Sequence, residues 1–339
     1  MLIETADQAD EFLRDLDANN VCYIAFDTEF VKRKTYYPIF ATLQVNICGK
    51  IGIFDIQALH TLPNKLLNLF QNFKIMKICH AGLQDMQILH QNFNIVIQPC
   101  FDTQIAAIFS KDGINISYKD LVKKYCKKNL DKCLQKRDWS KRPFLTNELA
   151  YLHNDVKYLV EIYKKLVLQV DVNWVIFETQ YIYNKQQNKD LLSKWRENLA
   201  KKSNIPESSI LHNTLMHALR NLKVITFENI VKIIPNKQDL AEEILPILKQ
   251  LKKTNTSQMK LHQYIILSTY VDYLAKLHRI PREMLCEHAL LLQMIENKQL
   301  IYPLNVNWRY ELFGKALHQL LSGTSGLYLS DSIDIRTLA

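Results

Sequence analysis

Two carboxylates close the stretch VCYIAFDTEF at 21–30: Asp27 and Glu29, two residues apart, after an apolar run through Val21, Tyr23, Ile24 and Phe26. On a strand, residues i and i+2 project to the same face, so both acids point together from the end of a buried element. Like charges placed this way repel. Desolvation adds to the repulsion and raises at least one pKa unless a cation stands between them, and an all-carboxylate oxygen set suits a hard divalent ion such as Mg2+ or Mn2+. A strand that merely ends in polar residues at a loop would carry the same letters, so the pair is half of a metal site only if other acids join it. Further along, Tyr151 and Asp155 are four residues apart in a segment of helical period, and so share one face one turn apart. Leu152, Val156, Leu159 and Val160 give that helix a core face, which leaves packing as the plain alternative for the tyrosine.

The elements that must carry these groups follow from periodicity. Residues 5–18 set Ala9, Phe12, Leu13 and Leu16 at helical spacing, with Thr5 as cap and Asn19-Asn20 as stop. Residues 40–47 and 50–56 read as two strands joined around Gly49, forming an antiparallel meander with the strand that ends at the acids. A helix over 62–71, a strand over 75–80, a helix that holds Asp85, a strand over 95–101 and a helix from 103 complete the first half. Asp102 precedes an apolar run and reads as a helix N-cap outside any metal site. Hairpin-linked strands followed by alternating helices and strands predict a mixed sheet covered on both faces. Thr146 reads as the cap of a helix running to about 168, with Glu148 in its first turn. From 171 onward the pattern is helical to the end, punctuated by Pro206, Pro235 and Pro246, with a linker at KKTNTSQM (252–259).

A chain of 339 residues predicts two or three domains, and 48% hydrophobic with 23% charged residues places it among globular proteins. The net charge of +9 favours a polyanionic partner or an anionic membrane surface over an acidic protein partner, unless the surface is simply lysine-rich. Between 119 and 143 the chain concentrates Lys123, Lys124, Lys127, Lys128, Lys132, Lys136, Arg137, Lys141 and Arg142 against Asp131 and Asp138. Such a belt suits a nucleic-acid backbone, with Trp139 offering a face for a base; a solvated helix face and a core tryptophan would look the same. Seven scattered cysteines without a C-x-x-C pair argue against a disulfide framework and a zinc knuckle, and predict a reducing compartment. The acidic N-terminal segment is unlike a signal peptide and no apolar run is long enough to span a bilayer, so a cytoplasmic protein without membrane contact is expected.

FDTEF at 26–30, HAGLQDMQIL at 80–89 and YLHND at 151–155 resemble, in order and approximate spacing, the three exonuclease motifs of the DEDD superfamily. FVKRKTYYPIFATLQV, CFDTQIAAIFS and DWSKRPF extend the likeness to the ribonuclease D family over most of residues 1–170. Tyrosine four residues before the last aspartate, with Ala150 where the other branch has histidine, is similar to the tyrosine branch. WR at 195–196 followed by IPESSILHNTLMHAL, and IPREMLCEHALLLQMI followed by NWRYELFGKALHQLLSG, resemble paired HRDC modules.

The resemblance implies a ribonuclease H-like α/β exonuclease domain over 1–170, a connecting helix and first HRDC-like module over 171–255, and a second module over 259–325. It implies that Asp27, Glu29, Asp85 and Asp155 hold two divalent cations, Mg2+ or Mn2+, about 3.5–4 Å apart for in-line displacement at phosphorus. Asp27, Asp85 and Asp155 would share the first ion, with the second resting on Asp27 and Tyr151 orienting the attacking water. Substrate contacts are expected at Thr28, Phe30, His80, Arg137, Lys141 and Arg142, although a histidine at a strand end is more often a structural hydrogen-bonder. The implied activity is a monomeric 3′-to-5′ exoribonuclease that releases nucleoside 5′-monophosphates singly from RNA, with tRNA precursors as expected substrate. A DNA exonuclease of the same superfamily and a non-catalytic RNA-binding module are the alternatives.

Overall fold

The computed structural model describes residues 1–130, 134, 137–187, 189–253, 261–329 and 333–337. Six strands, β1 (Leu2–Ile3), β2 (Tyr23–Val31), β3 (Ile39–Ile47), β4 (Lys50–Asp55), β5 (Met76–Cys79) and β6 (Cys100–Asp102), form one sheet in the order β1-β4-β3-β2-β5-β6. Strands β2, β3 and β4 are the expected antiparallel meander, while β5 runs parallel to β2 and β1 parallel to β4, so the sheet is mixed. The two-residue β1 is too short to show any alternation, which is why the sequence pattern hides it. The fifth strand, expected over 95–101, is shorter than that: residues 95–99 are not strand, and only Cys100–Asp102 pair into the sheet.

Every residue of β3 after Ile39 is buried, the mark of a strand covered on both faces. Leu43, Val45 and Ile47 join a core with Phe12, Phe26, Phe54 and Phe70, in which Phe12–Phe54 and Phe26–Phe70 meet edge to face at 5.6 and 5.5 Å. On the alternate face, Asn46 Nδ2 donates to the Val156 carbonyl at 3.3 Å, tying the sheet to the Thr146–Lys157 helix. Between Glu29 and Phe30 the β2–β3 register skips Ala41, a bulge placed directly beside the acids.

Helix ends follow cap chemistry with one correction. Thr5 and Gln8 close a capping box, and the Asp102 carboxylate accepts from Gln104 N as a helix N-cap should. Thr146, however, is the first helical residue; Leu145 is the cap, and its backbone N–H is satisfied by Glu148 Oε2 at 2.7 Å. Glu148 thus performs the closing half of a capping box without a hydroxyl partner at the cap.

The chain divides into two compact units: Met1–Cys100 with Asn129–Val160 and Thr179–Thr256, and Phe101–Lys128 with Glu161–Glu178 and Ser257–Ala339. A helical motif recurs, once in each. The Leu191–Ser203 helix ends on left-handed Asn204 with Ile205 N bonded to Ala200 O; Pro206 then starts a four-residue helix closed by Leu211 N to Glu207 O. The Leu261–His278 helix leads through left-handed Arg279, Ile280 N to Ala275 O, Pro281 and Cys286 N to Arg282 O in the same pattern. In the second unit Glu178 accepts from Arg309 Nη1 and Nη2 at 2.7 and 3.0 Å and from Trp308 Nε1 at 3.1 Å, all buried among apolar residues.

The expectation that strands end at residue 171 is corrected: β7 (Ser325–Leu329) and β8 (Ile333–Thr337) form an antiparallel hairpin at the C-terminus. Its strands are five residues each, too short to stand out from the helical pattern before them. Pro246 sits inside the Asp239–Lys253 helix instead of ending it, on an element whose Ala241, Ile244 and Leu248 are buried. Most of the expected linker, from residue 254, lies outside the described residues, as do Asp131, Lys132 and Lys136 of the basic belt. No described helix is long and apolar enough to cross a membrane.

Candidate active site

At the bulged end of β2, one carboxylate oxygen each from Asp27, Glu29 and Asp155 falls within 4.8 Å of the others. The strand supplies the first two from one face, and the Thr146–Lys157 helix, packed on β3, supplies the third. Asp85 stands in the first turn of the Leu83–Phe93 helix, where it accepts from Thr28 N at 3.1 Å and from Thr28 Oγ1. It is thus locked to the residue between the two strand acids and is not one of the three whose oxygens meet within 4.8 Å. Gly82 makes the approach possible: a Cβ there would lie 2.4 Å from Cys79 Sγ.

The electrostatics are those of negative charge gathered without compensation. Burial, then the charges of Asp85, Asp155 and Glu29, push the Asp27 carboxyl well above the usual carboxylate range, with the Thr28 backbone opposing weakly. Glu29 is pushed up to about 9 by burial, then by Asp155 and Asp85. Asp155 rises through burial and Asp85, and its Oδ2 is buried with no hydrogen-bond partner among the described residues. Tyr151 sits one turn before Asp155; burial first, then Asp155, Glu29 and Asp27, drive its phenol far above the normal tyrosine value. A phenol raised in this way is a hydrogen-bond donor.

Other expected contacts divide by what they touch. Thr28 is buried and engaged with Asp85. Phe30 is half-buried beneath the Lys32 ammonium, 5.3 Å from its ring centroid, and lines a cleft of about 600 Å3 with Tyr36, Gln84 and Lys201. His80 is half-buried at the end of β5, and Lys141 is exposed. Arg137 pairs with Glu148. Arg142 forks onto Asp55, with Nη2 to Oδ1 at 2.7 Å, and also donates to Trp139 O at 2.6 Å. Both guanidinium groups hold the DWSKRPF segment onto neighbouring elements and are not left open to a phosphate. Trp139 is 1% exposed, so the face expected to stack a base is covered: its ring packs on Tyr151 at 5.6 Å and 30°.

A family profile described as 3′-5′ exonuclease matches residues 1–171. The chain belongs to the 3′-5′ exonuclease family. The ribonuclease D of Bartonella henselae is 25% identical over 92% of this chain and 88% of its own length, and that of Jannaschia sp. is 36% identical over 42% of this chain and 38% of its own. The crystal structure of Escherichia coli RNase D matches with a TM-score of 0.74 at 20% identity, over 95% of this chain and 98% of that one. The ribonuclease H-like mixed sheet followed by helices is therefore the architecture of this exonuclease.

The exonuclease site fits a divalent cation on its own terms. Three converging carboxylates, a fourth one bond behind them, a buried Asp155 oxygen with nothing to accept, and no ion pair to any of the three among the described residues leave a hard cation as the missing countercharge. Sequence reasoning missed the fastening of Asp85 by Thr28 and the Trp139–Tyr151 stack. A hydroxyl residue set between two acids was the available signal for the first. The second had none, since a buried and an exposed tryptophan read alike.

Proposed function

We infer that this exonuclease is a 3′-to-5′ exoribonuclease of ribonuclease D type, hydrolysing RNA one nucleotide at a time to nucleoside 5′-monophosphates, with 3′-extended tRNA precursors as substrate. The observation that carries it is the alignment with a curated ribonuclease D over nearly the whole chain, joined to the converging acids of the first and third motif segments and an Asp85 of the second that is bonded to Thr28 between them. Asp27, Glu29, Asp85 and Asp155 would hold two divalent cations, Mg2+ or Mn2+. When bound, such ions acidify water and stabilise charge on the departing 3′-oxygen. The protein's own part is geometric. Thr28 fixes Asp85, the β2 bulge lies directly after Glu29, and the Tyr151 hydroxyl would donate to the attacking water and set its line of approach to phosphorus. The recurring motif at Ile205-Pro206 and Ile280-Pro281 supports reading 171–255 and 259–325 as paired HRDC-like modules that position RNA. The net charge of +9 supports the same polyanionic partner.

The test is trimming of a 3′-extended tRNA with Mg2+ or Mn2+. Asp155→Asn is expected to lower the rate more than about 100-fold, beyond what loss of an outer hydrogen-bond partner of a metal ligand costs. Full metal-dependent trimming by that variant would remove Asp155 from the site, and equal hydrolysis of a matched DNA strand would overturn the assignment to RNA.

A further inference from the structure

We propose that Trp139 is a positioning residue for the hydrolysis, its indole fixing the plane in which the Tyr151 phenol stands one turn before Asp155. The inference rests on the reading of Tyr151 given above. The two rings stack with centroids 5.6 Å apart and planes 30° from parallel. Tyr151 also lines a cavity of about 240 Å3 with Leu130, Leu134 and Asp155, so one side of its ring is unpacked and its rotamer is set by the buried cluster on the other, Trp139 foremost.

The tryptophan is itself held from three directions. The Arg137 guanidinium lies 5.0 Å from the indole centroid and pairs with Glu148 on the helix that bears Tyr151. The Trp139 carbonyl accepts from Arg142, which forks onto Asp55 at the end of β4. Ala41 and Ile53 pack in the same buried cluster. The indole is thus fixed relative to the sheet, and the phenol relative to the indole.

Packing alone does not explain an aromatic ring at this position. The indole Nε1 is buried with no hydrogen-bond partner among the described residues, a penalty that a leucine of the core would avoid. What an aromatic residue here adds is a flat ring in offset contact with the phenol, its centroid 5.6 Å away and its plane 30° from parallel.

The experiment measures kcat and KM for RNA trimming, and divalent-ion affinity by calorimetry, in Trp139→Phe, Trp139→Leu and Trp139→Met, each also in a Tyr151→Phe background. Trp139→Phe keeps an aromatic plane and is expected to hold kcat within about threefold. Trp139→Leu and Trp139→Met are expected to lose about 10- to 100-fold in kcat, the scale of an ångström-sized misplacement, with KM and ion affinity nearly unchanged. Once the Tyr151 hydroxyl is gone, the same substitutions should cost little more. Equal losses in both backgrounds, or a Trp139→Phe defect as large as that of Trp139→Leu, would overturn the proposal. Asp155→Asn separates the two levels: if it is inactive while Trp139→Leu trims normally, the positioning role alone fails; if it is fully active, the reading beneath it fails.

Discussion

The hydroxyl of Thr28 helps to hold the fourth acid beside the other three. Thr28 gives Asp85 both its backbone N–H and its side-chain O–H, so Thr28→Val removes one donor and leaves the strand intact. Divalent-ion affinity measured by calorimetry is expected to fall about 10- to 100-fold, as for other loosened supports of a metal ligand; unchanged affinity would mean that the backbone bond suffices. Tyr151→Phe should behave differently, lowering kcat about 100-fold while ion affinity holds, because a protonated phenol orients and does not ligate. A fall in affinity with kcat intact would invert that assignment.

Among elements, what could be read in advance was whatever depended on local spacing. The i, i+2 pairing of Asp27 with Glu29, the meander around Gly49, the Asp102 cap and the i, i+4 relation of Tyr151 to Asp155 all follow from a period of 2 or 3.6. Relations across long stretches were hidden. Arg142 and Asp55 are 87 positions apart, and a basic belt looks the same whether its cations face a polyanion or brace a loop. The buried Glu178–Arg309 pair was hidden likewise, since nothing in WR announces a carboxylate 131 positions earlier. Breaking it with Arg309→Met leaves the Glu178 charge buried without its guanidinium and is expected to cost about 3–5 kcal/mol in chemical denaturation, with part recovered by adding Glu178→Leu. A loss under about 1 kcal/mol would show the pair to be ornamental.

Across the whole molecule, the crowded acids couple folding to pH. The unfolded chain gives up the Glu29 proton near 4.5, whereas the folded protein keeps it to about 9. Between those values the native state binds the extra proton, so stability is highest below the window and falls as pH rises through it. Asp27 and Asp155, raised in the same direction, add to the slope. Thermal melts without divalent ions should therefore decline from the acid to the alkaline end of the window, and saturating Mg2+ should raise the midpoint more at the alkaline end. A pH-independent gain would show that the cation binds elsewhere.

The bulge opposite Glu29 and Phe30 bears on how this gene can drift. Ala41 has no counterpart across the ladder, and its carbonyl is reached by Arg142 Nη2 at 3.4 Å. Losing that one codon would set Phe40 directly before Thr42 with the Phe30–Phe40 and Val31–Ile39 pairs kept, closing the bulge beside the acids. Variants of this segment should accordingly arise by exchange of letters at constant length, with indels confined to the connections on either side.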